Sequence, residues 1–383
     1  NLIIFFSLIL GCNTTNELFI YSTEKQFSTQ KKPISIKVNH HKDFIPGSMK
    51  IRGGSSISYP KKSYEIDLKE DKIISNIPKD DDYILNANFI DKTFLRHVIS
   101  FNIFREMDSE NIAPNTDYTQ LYINDNYQGL YVIMEKMDKS TIGINQDDSL
   151  SFIFKEPHIF RKDYSKIVPQ KKDNFHQQTY PKIEKQNHAT YVEEVRSFIL
   201  ESNNSIFTKN IDTLFDIDNV VDWHLLLLMT NNSDGILKNF YLYKINTQTP
   251  MRITPWDYDH SFGRDGDNEL NMNKRKADLT RSILFDRLLK FEWYKKRLKN
   301  RWIQHNNNNI LSIEGLEKNI NQLHFKIEEL ITQNNKKWPV NHQIYYDSKS
   351  SQEEIQIILD FIKIKHAELT DYFKDITKKN SSE

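Results

Sequence analysis

A single cysteine, Cys12, is present in the chain, so neither an intrachain disulfide nor a cysteine-based zinc site is available to it. Excess charge is lacking as well. The 52 basic residues meet 52 acidic ones, and no global field favours nucleic acid or an anionic membrane surface. No apolar stretch reaches transmembrane length. No internal repeat is visible, nor the alternating βαβα pattern of a doubly wound sheet. A Gly-x-Gly-x-x-Gly phosphate loop is also missing. Aromatic residues, by contrast, are plentiful. With 23 Phe, 18 Tyr and 5 Trp in 383 residues, the chain can bury a substantial core, which excludes wholesale disorder. That length suits two domains or one large two-lobed unit.

Cys12 closes a short apolar run that ends Ile9-Leu10-Gly11 and gives way to Asn13-Thr14-Thr15-Asn16. This predicts an export signal over residues 1–12 ending in a lipobox, with Cys12 carrying a lipid anchor to a membrane of the cell envelope or surface. Leu10 is bulkier than the small residue usual two before such a cysteine.

Residues 17–137 read as a β-rich unit. Ile34-Ser35-Ile36-Lys37-Val38 and Tyr64-Glu65-Ile66-Asp67-Leu68 alternate apolar and polar with period two. Leu121-Tyr122-Ile123 and Gly129-Leu130-Tyr131-Val132-Ile133 flank Asn124-Asp125-Asn126, a hairpin with turn residues suited to positive φ. Residues 91–107 read as a helix that Asp91 caps. Residues 138–383 read as mainly helical, with helices over 189–202, 218–231, 279–304, 312–336 and 351–374. One small hairpin interrupts them, Phe240 to Ile245 with Met251 to Thr254. Residues 138–188 read as an irregular surface insertion or lid. The fold class is therefore α+β, a β-rich first lobe and a helical second lobe with a cleft between them.

Chemistry concentrates in residues 218–263. A helix runs to Asn231-Asn232, and Asp234-Gly235-Ile236-Leu237-Lys238-Asn239 follows. The hairpin comes next, then Pro255-Trp256-Asp257-Tyr258-Asp259-His260. Helix, Asp-x-x-x-x-Asn loop, hairpin and Asp-bearing loop occur in the same order in protein kinases. A short loop lets the Asp and the Asn face one point, and the hairpin returns a second Asp to it. Magnesium wants few, hard oxygen ligands from protein. Taken singly, each of these matches also fits a helix end or a strand-end turn. His224, on an apolar helix, reads as a satisfied core histidine.

The chain resembles the CotH (spore-coat kinase-like) family. The resemblance rests on Arg52-Gly53-Gly54-Ser55-Ser56, Pro60-Lys61-Lys62-Ser63-Tyr64, Leu85-Asn86-Ala87-Asn88, Asp91 with Arg96, and Leu121-Tyr122-Ile123-Asn124. Tyr127-Gln128-Gly129-Leu130-Tyr131, Glu135-Lys136-Met137-Asp138 and Pro255-Trp256-Asp257-Tyr258-Asp259 with Phe262-Gly263 complete it. These segments span about residues 48–263, and the last hundred or so residues carry no matching motif. The resemblance implies an atypical protein-kinase-like two-lobed fold. It implies transfer of phosphate from ATP, with magnesium or manganese, to Ser or Thr of an exported acceptor protein. Asp234 then stands as the catalytic-loop Asp, with Asp257 and Asn239 as metal ligands. Asp259 either assists the metals or orients Asp257.

The ATP-facing residues of the first lobe are expected to be Lys62, Arg52 and Glu135. Lys62, placed on the face of Tyr64, Ile66 and Leu68, would reach the phosphates, and Lys61 would point to solvent. Arg52 reads either as a phosphate clamp or as a structural ion pair. Glu135 either pairs with Lys62 or belongs to a segment that offers backbone groups to adenine. Two other readings stay open. One is a non-catalytic surface binding or coat-assembly protein on the same scaffold. The other is transfer of the nucleotide moiety from ATP.

Overall fold

The computed structural model describes residues 15–167, 174–264, 276–340 and 349–376. The expected export signal and Cys12 lie outside the described residues. Seven strands close into a barrel. They are β1 (Asn16–Tyr21), β2 (Lys32–Val38), β3 (Ile45–Arg52), β4 (Ser63–Lys72), β5 (Asp80–Asn86), β6 (Thr116–Ile123) and β7 (Asn126–Glu135). Their order is β1-β2-β3-β4-β5-β7-β6, and a parallel pairing of β1 with β6 completes the ring. Period two decides what fills it. Ile34 and Ile36 of β2, Tyr64 and Ile66 of β4, and Tyr131 and Ile133 of β7 point into a barrel core of their own. Asn124 and Asp125, both at positive φ, make the β6–β7 turn.

The outward residues of β5 and β7 serve a second core. Ile84, Leu130, Val132 and Met134 pack there with α1 (Arg96–Met107) and the helical part of the chain. α1 begins five residues later than the sequence predicts. Asp91 caps nothing. Its buried carboxylate accepts from Thr93 N–H at 3.2 Å and Arg96 N–H at 3.2 Å, bracing the turn before the helix.

At the centre lies α5 (Ile217–Thr230), where nearly every side chain is buried, Trp223 fully. A helix buried on nearly every face has to be internal. His224 is satisfied there by the Tyr294 hydroxyl at 3.0 Å. The other helices are α2 (Lys139–Ile142), α3 (Ala189–Glu201), α4 (Asn204–Leu214), α6 (Ile283–Leu288), α7 (Glu292–Asn307), α8 (Ile313–Lys337) and α9 (Ser351–Asp375), of which α7 and α9 pack on α5. The single helix predicted over 279–304 is broken into α6 and α7, with residues 289–291 between them.

The region 138–188 is not irregular throughout, and part of it belongs to the core. It carries β8 (Phe152–Lys155) and β9 (Gln178–Tyr180). With β10 (Phe240–Lys244) and β11 (Arg252–Pro255) these form a four-stranded sheet, ordered β11-β10-β8-β9. Phe152, Ile153 and Phe154 are fully buried. The predicted hairpin is thus half of a sheet whose other half the sequence reading left irregular. The result is a mixed α+β fold, a closed β-barrel followed by a mainly helical portion with its own sheet.

α8 and α9 strap the two portions together. Lys326 of α8 pairs with Asp117 of β6 at 2.7 Å. The Asn334 side-chain oxygen accepts from Leu130 N–H at 3.2 Å and from the Lys61 ammonium at 2.9 Å. The Trp338 indole N–H donates to the Gln128 carbonyl at 2.6 Å. Gly129, at φ 112°, makes room for this contact, since a Cβ there would stand 2.6 Å from the Asn334 oxygen.

Candidate functional site

Local chemistry shapes the loop after α5. Asn231 ends the helix in the left-handed region, at φ 53°. The Asn232 side-chain oxygen accepts the Gly235 N–H at 2.9 Å. A Cβ on Gly235 would come within 2.7 Å of Leu227 and 3.2 Å of the Tyr258 hydroxyl, so this position needs the smallest residue. Asp234, on a 3-10 turn, is partly exposed and pairs with Lys238 at 2.8 Å. Asn239 sits at φ 59° and donates its side-chain N–H to the Asp257 carbonyl at 2.9 Å. Its amide oxygen is left as an acceptor. Asp257 follows β11 at φ 58°, with about half of its side chain open to solvent.

These residues line one cleft of about 570 Å³ between the barrel and the helical portion. Asp234, Asn239, Asp257 and Asp259 form one wall, Arg52 and the following glycine-serine loop the other. α1 contributes His97, a residue the sequence reading missed. Its Nε2 lies 3.3 Å from Asp257 Oδ1. Burial alone would raise the Asp257 pKa. The His97 hydrogen bond outweighs it with the charges of His97, Arg52 and His260, holding the group at about 2. Burial would lower His97, yet the hydrogen bond to Asp257 and the charges of Asp259, Asp257 and Asp91 raise it. Asp259 moves upward, through burial and then the Asp257 charge beside it. Two mutually repelling carboxylates and a free amide oxygen are hard donors, a set that fits magnesium or manganese.

A second cavity of about 770 Å³ adjoins the first. Ile84, Met137, Ile153, Tyr180 and Tyr241 give it apolar walls, and residues 136–139 give it an edge. Four residues line both cavities: Arg52, Glu65, Lys155 and Trp256. The Arg52 guanidinium and the Lys155 ammonium each lie 5.7 Å from the Trp256 ring centre.

Two expected residues are elsewhere. Lys62 is not in the cleft lining; its ammonium donates to the carbonyls of Ile57, at 2.7 Å, and Tyr59. β4 begins at Ser63, so strand alternation does not govern Lys62. The face of Tyr64 and Ile66, moreover, looks into the barrel core and away from the cleft. Lys61 is the reverse of the solvated residue expected. It is buried, and its ammonium donates to Ala87 O at 2.8 Å, to Leu130 O and to Asn334, over the rings of Tyr131 and Phe94. Glu135 lines a separate cavity of about 350 Å³ and accepts from Asn115 N–H at 2.8 Å. It does not pair with Lys62. Its neighbour Lys136 pairs with Asp82 at 2.9 Å and Glu65 at 3.2 Å.

Behind the metal-suited loop lies a buried ionic cluster. Arg96 donates to Asp91 at 2.6 Å, to the Ser261 carbonyl at 3.0 Å and to Glu354 of α9 at 2.9 Å. Arg264 donates to the other oxygen of Glu354. Arg96 therefore ties the segment just beyond Asp257 to both α1 and α9.

Comparison with known proteins shows the family. Residues 49–369 match the family model described as CotH kinase protein. The chain is 22% identical over 346 residues to the inner spore coat protein H of Bacillus subtilis (strain 168), covering 89% of this chain and 90% of that protein. The family match runs well past residue 263, through α8 and into α9. The chain belongs to the CotH kinase protein family.

Proposed function

We propose that the chain is a divalent-metal-dependent protein kinase on a two-lobed kinase-like fold, transferring the γ-phosphoryl group of ATP to Ser or Thr of exported or surface proteins. The observation that carries this reading is the convergence of Asp234, Asn239 and Asp257 on one cleft that opens into a second, partly apolar cavity. A flat aromatic base suits the side of that cavity formed by Ile84, Met137, Ile153 and Tyr241, with residues 136–139 alongside it. The phosphates then lie toward the acidic wall. Magnesium or manganese held by Asp257, Asn239 and Asp259 would supply positive charge to the phosphates.

The chain's own residues do the rest by positioning and electrostatics. Asp234, open to solvent, orients the acceptor hydroxyl and takes its proton. The hydroxyl oxygen bonds to the γ-phosphorus as the bond to the β-phosphate oxygen breaks, and ADP leaves. Lys238, paired with Asp234, stands where it offsets charge on the transferring group. His97 fixes the Asp257 carboxylate. Arg52 draws the phosphates toward the neck between the cavities.

A relative named as an inner spore coat protein supports an acceptor in a surface or coat layer, and lipid anchoring at Cys12 would fit that location. Calorimetry with ATP and manganese tests the reading. Binding that needs the metal and disappears in Asp257→Ala supports it. No binding by the wild type would move the assignment to a non-catalytic surface protein.

A further inference from the structure

The two cavities meet at a neck, and any ligand that fills both places its linking part there. For a nucleotide with its base in the apolar cavity and its terminal phosphate at Asp257, that part is the α- and β-phosphates. Most cations near the neck are already engaged. Lys61 is saturated by three acceptors, and Lys62, absent from the cleft lining, is held by the carbonyls of Ile57 and Tyr59. Lys136 pairs with Glu65 and Asp82, and Lys238 with Asp234.

Lys155 differs from all of them. Among the described residues no carboxylate lies within ion-pair distance of its ammonium, and no hydrogen-bond acceptor meets it. Its contact is the face of Trp256. Its backbone is fixed, opposite Tyr241 in the β8–β10 ladder and bonded through its N–H to Gln177 O at 3.0 Å. Only the side chain is free to adjust. Burial pulls its pKa down; the Glu156 charge opposes this, the Arg52 charge adds to it, and the Asp257 and Glu65 charges oppose it, so the net shift is downward and the charged form gains from an incoming anion.

We propose that Lys155 is the phosphate-binding lysine of this site. It reaches the α- and β-phosphates of a nucleoside di- or triphosphate from the sheet of the helical portion, in the role expected of Lys62 on the barrel. The inference rests on the nucleotide reading above.

The test is calorimetry on the full chain with manganese, using ATP and adenosine as probes, and thermal midpoints measured alongside. Lys155→Met should weaken ATP about tenfold to a hundredfold, the loss of a charge-assisted hydrogen bond. Adenosine, which has no phosphate, should bind it as it binds the wild type. Lys155→Arg should recover part of the ATP affinity, and Lys62→Met should leave both probes unchanged. Lys155→Gln makes the same comparison, so a folding defect in one variant leaves the test intact. Unchanged ATP affinity in Lys155→Met, a parallel loss of adenosine, or a loss in Lys62→Met would each overturn the assignment. A wild type that binds neither probe would overturn the nucleotide reading itself and this inference with it.

Discussion

Glu354→Gln should destabilise the protein by about 4 kcal/mol. Asp91, Arg96, Arg264 and Glu354 form a cluster of two carboxylates and two guanidinium groups whose side chains are all 0% exposed. Neutralising Glu354 removes the negative charge that faces both buried guanidinium groups. It also weakens two charge-assisted bonds, from Arg96 at 2.9 Å and from Arg264. Breaking a buried pair by removing one partner costs about 3–5 kcal/mol. That is a large share of the roughly 5–15 kcal/mol that holds a domain folded. Urea denaturation should show a lower midpoint at an unchanged slope. A double-mutant cycle with Arg96→Met should show clear coupling, because the second change removes the charge that the first one strands. A loss below about 1 kcal/mol, the value of an exposed pair, or simple additivity would refute the reasoning. The four residues would then not act as a coupled ionic cluster behind the Asp257 loop.

Three further outcomes are expected. Gly129→Ala should cost about 1–3 kcal/mol, since φ 112° strains any side chain and the new Cβ meets Asn334 at 2.6 Å; a thermal midpoint equal to wild type would count against α8 as a tight strap. His224 has its pKa lowered by burial from 6.5 to about 3, so the unfolded chain binds a proton more readily between those values and stability falls as pH falls through that window. Its share is about 2 kcal/mol lost at pH 5 relative to pH 8, so His224→Gln should flatten the acid side of the stability curve, and parallel curves would show the histidine is not responsible. His97→Ala should weaken manganese binding about tenfold to a hundredfold by releasing the Asp257 carboxylate. Unchanged affinity by calorimetry would leave His97 with a packing role alone.

Much of the secondary structure was readable from local pattern. Ile34 to Val38 and Tyr64 to Leu68 announced strands by alternation, and α3, α5, α8 and α9 appeared close to their observed bounds. β5 was hidden because it opens Asp80-Asp81-Asp82, and β3 because Pro46 and Gly47 fall inside it. Both tolerate these residues for reasons set by distant partners. Asp82 reaches Lys136, and a Cβ on Gly47 would meet the Asp67 carbonyl of β4 at 2.6 Å. The order of Asp234, Asn239 and Asp257 along the chain was legible, and the structure brings them into one cleft. The cations were not. Alternation carried one residue past its strand put Lys62 inside, and barrel closure turned the assumed inner face into a core. Lys155 lay in a segment whose strand character depends on pairing with β10, and His97 and Glu354 carry no local signal at all.

Transfer of label from γ-labelled ATP to a Ser-rich acceptor protein, with manganese or magnesium, tests the central claim most directly. Wild type is compared with Asp234→Asn and Asp257→Ala, and the acceptor is analysed by mass spectrometry. The account predicts phosphate on Ser or Thr with wild type, ATP binding without transfer by Asp234→Asn, and neither by Asp257→Ala. Transfer that survives in both variants, or an acceptor carrying AMP in place of phosphate, would contradict it.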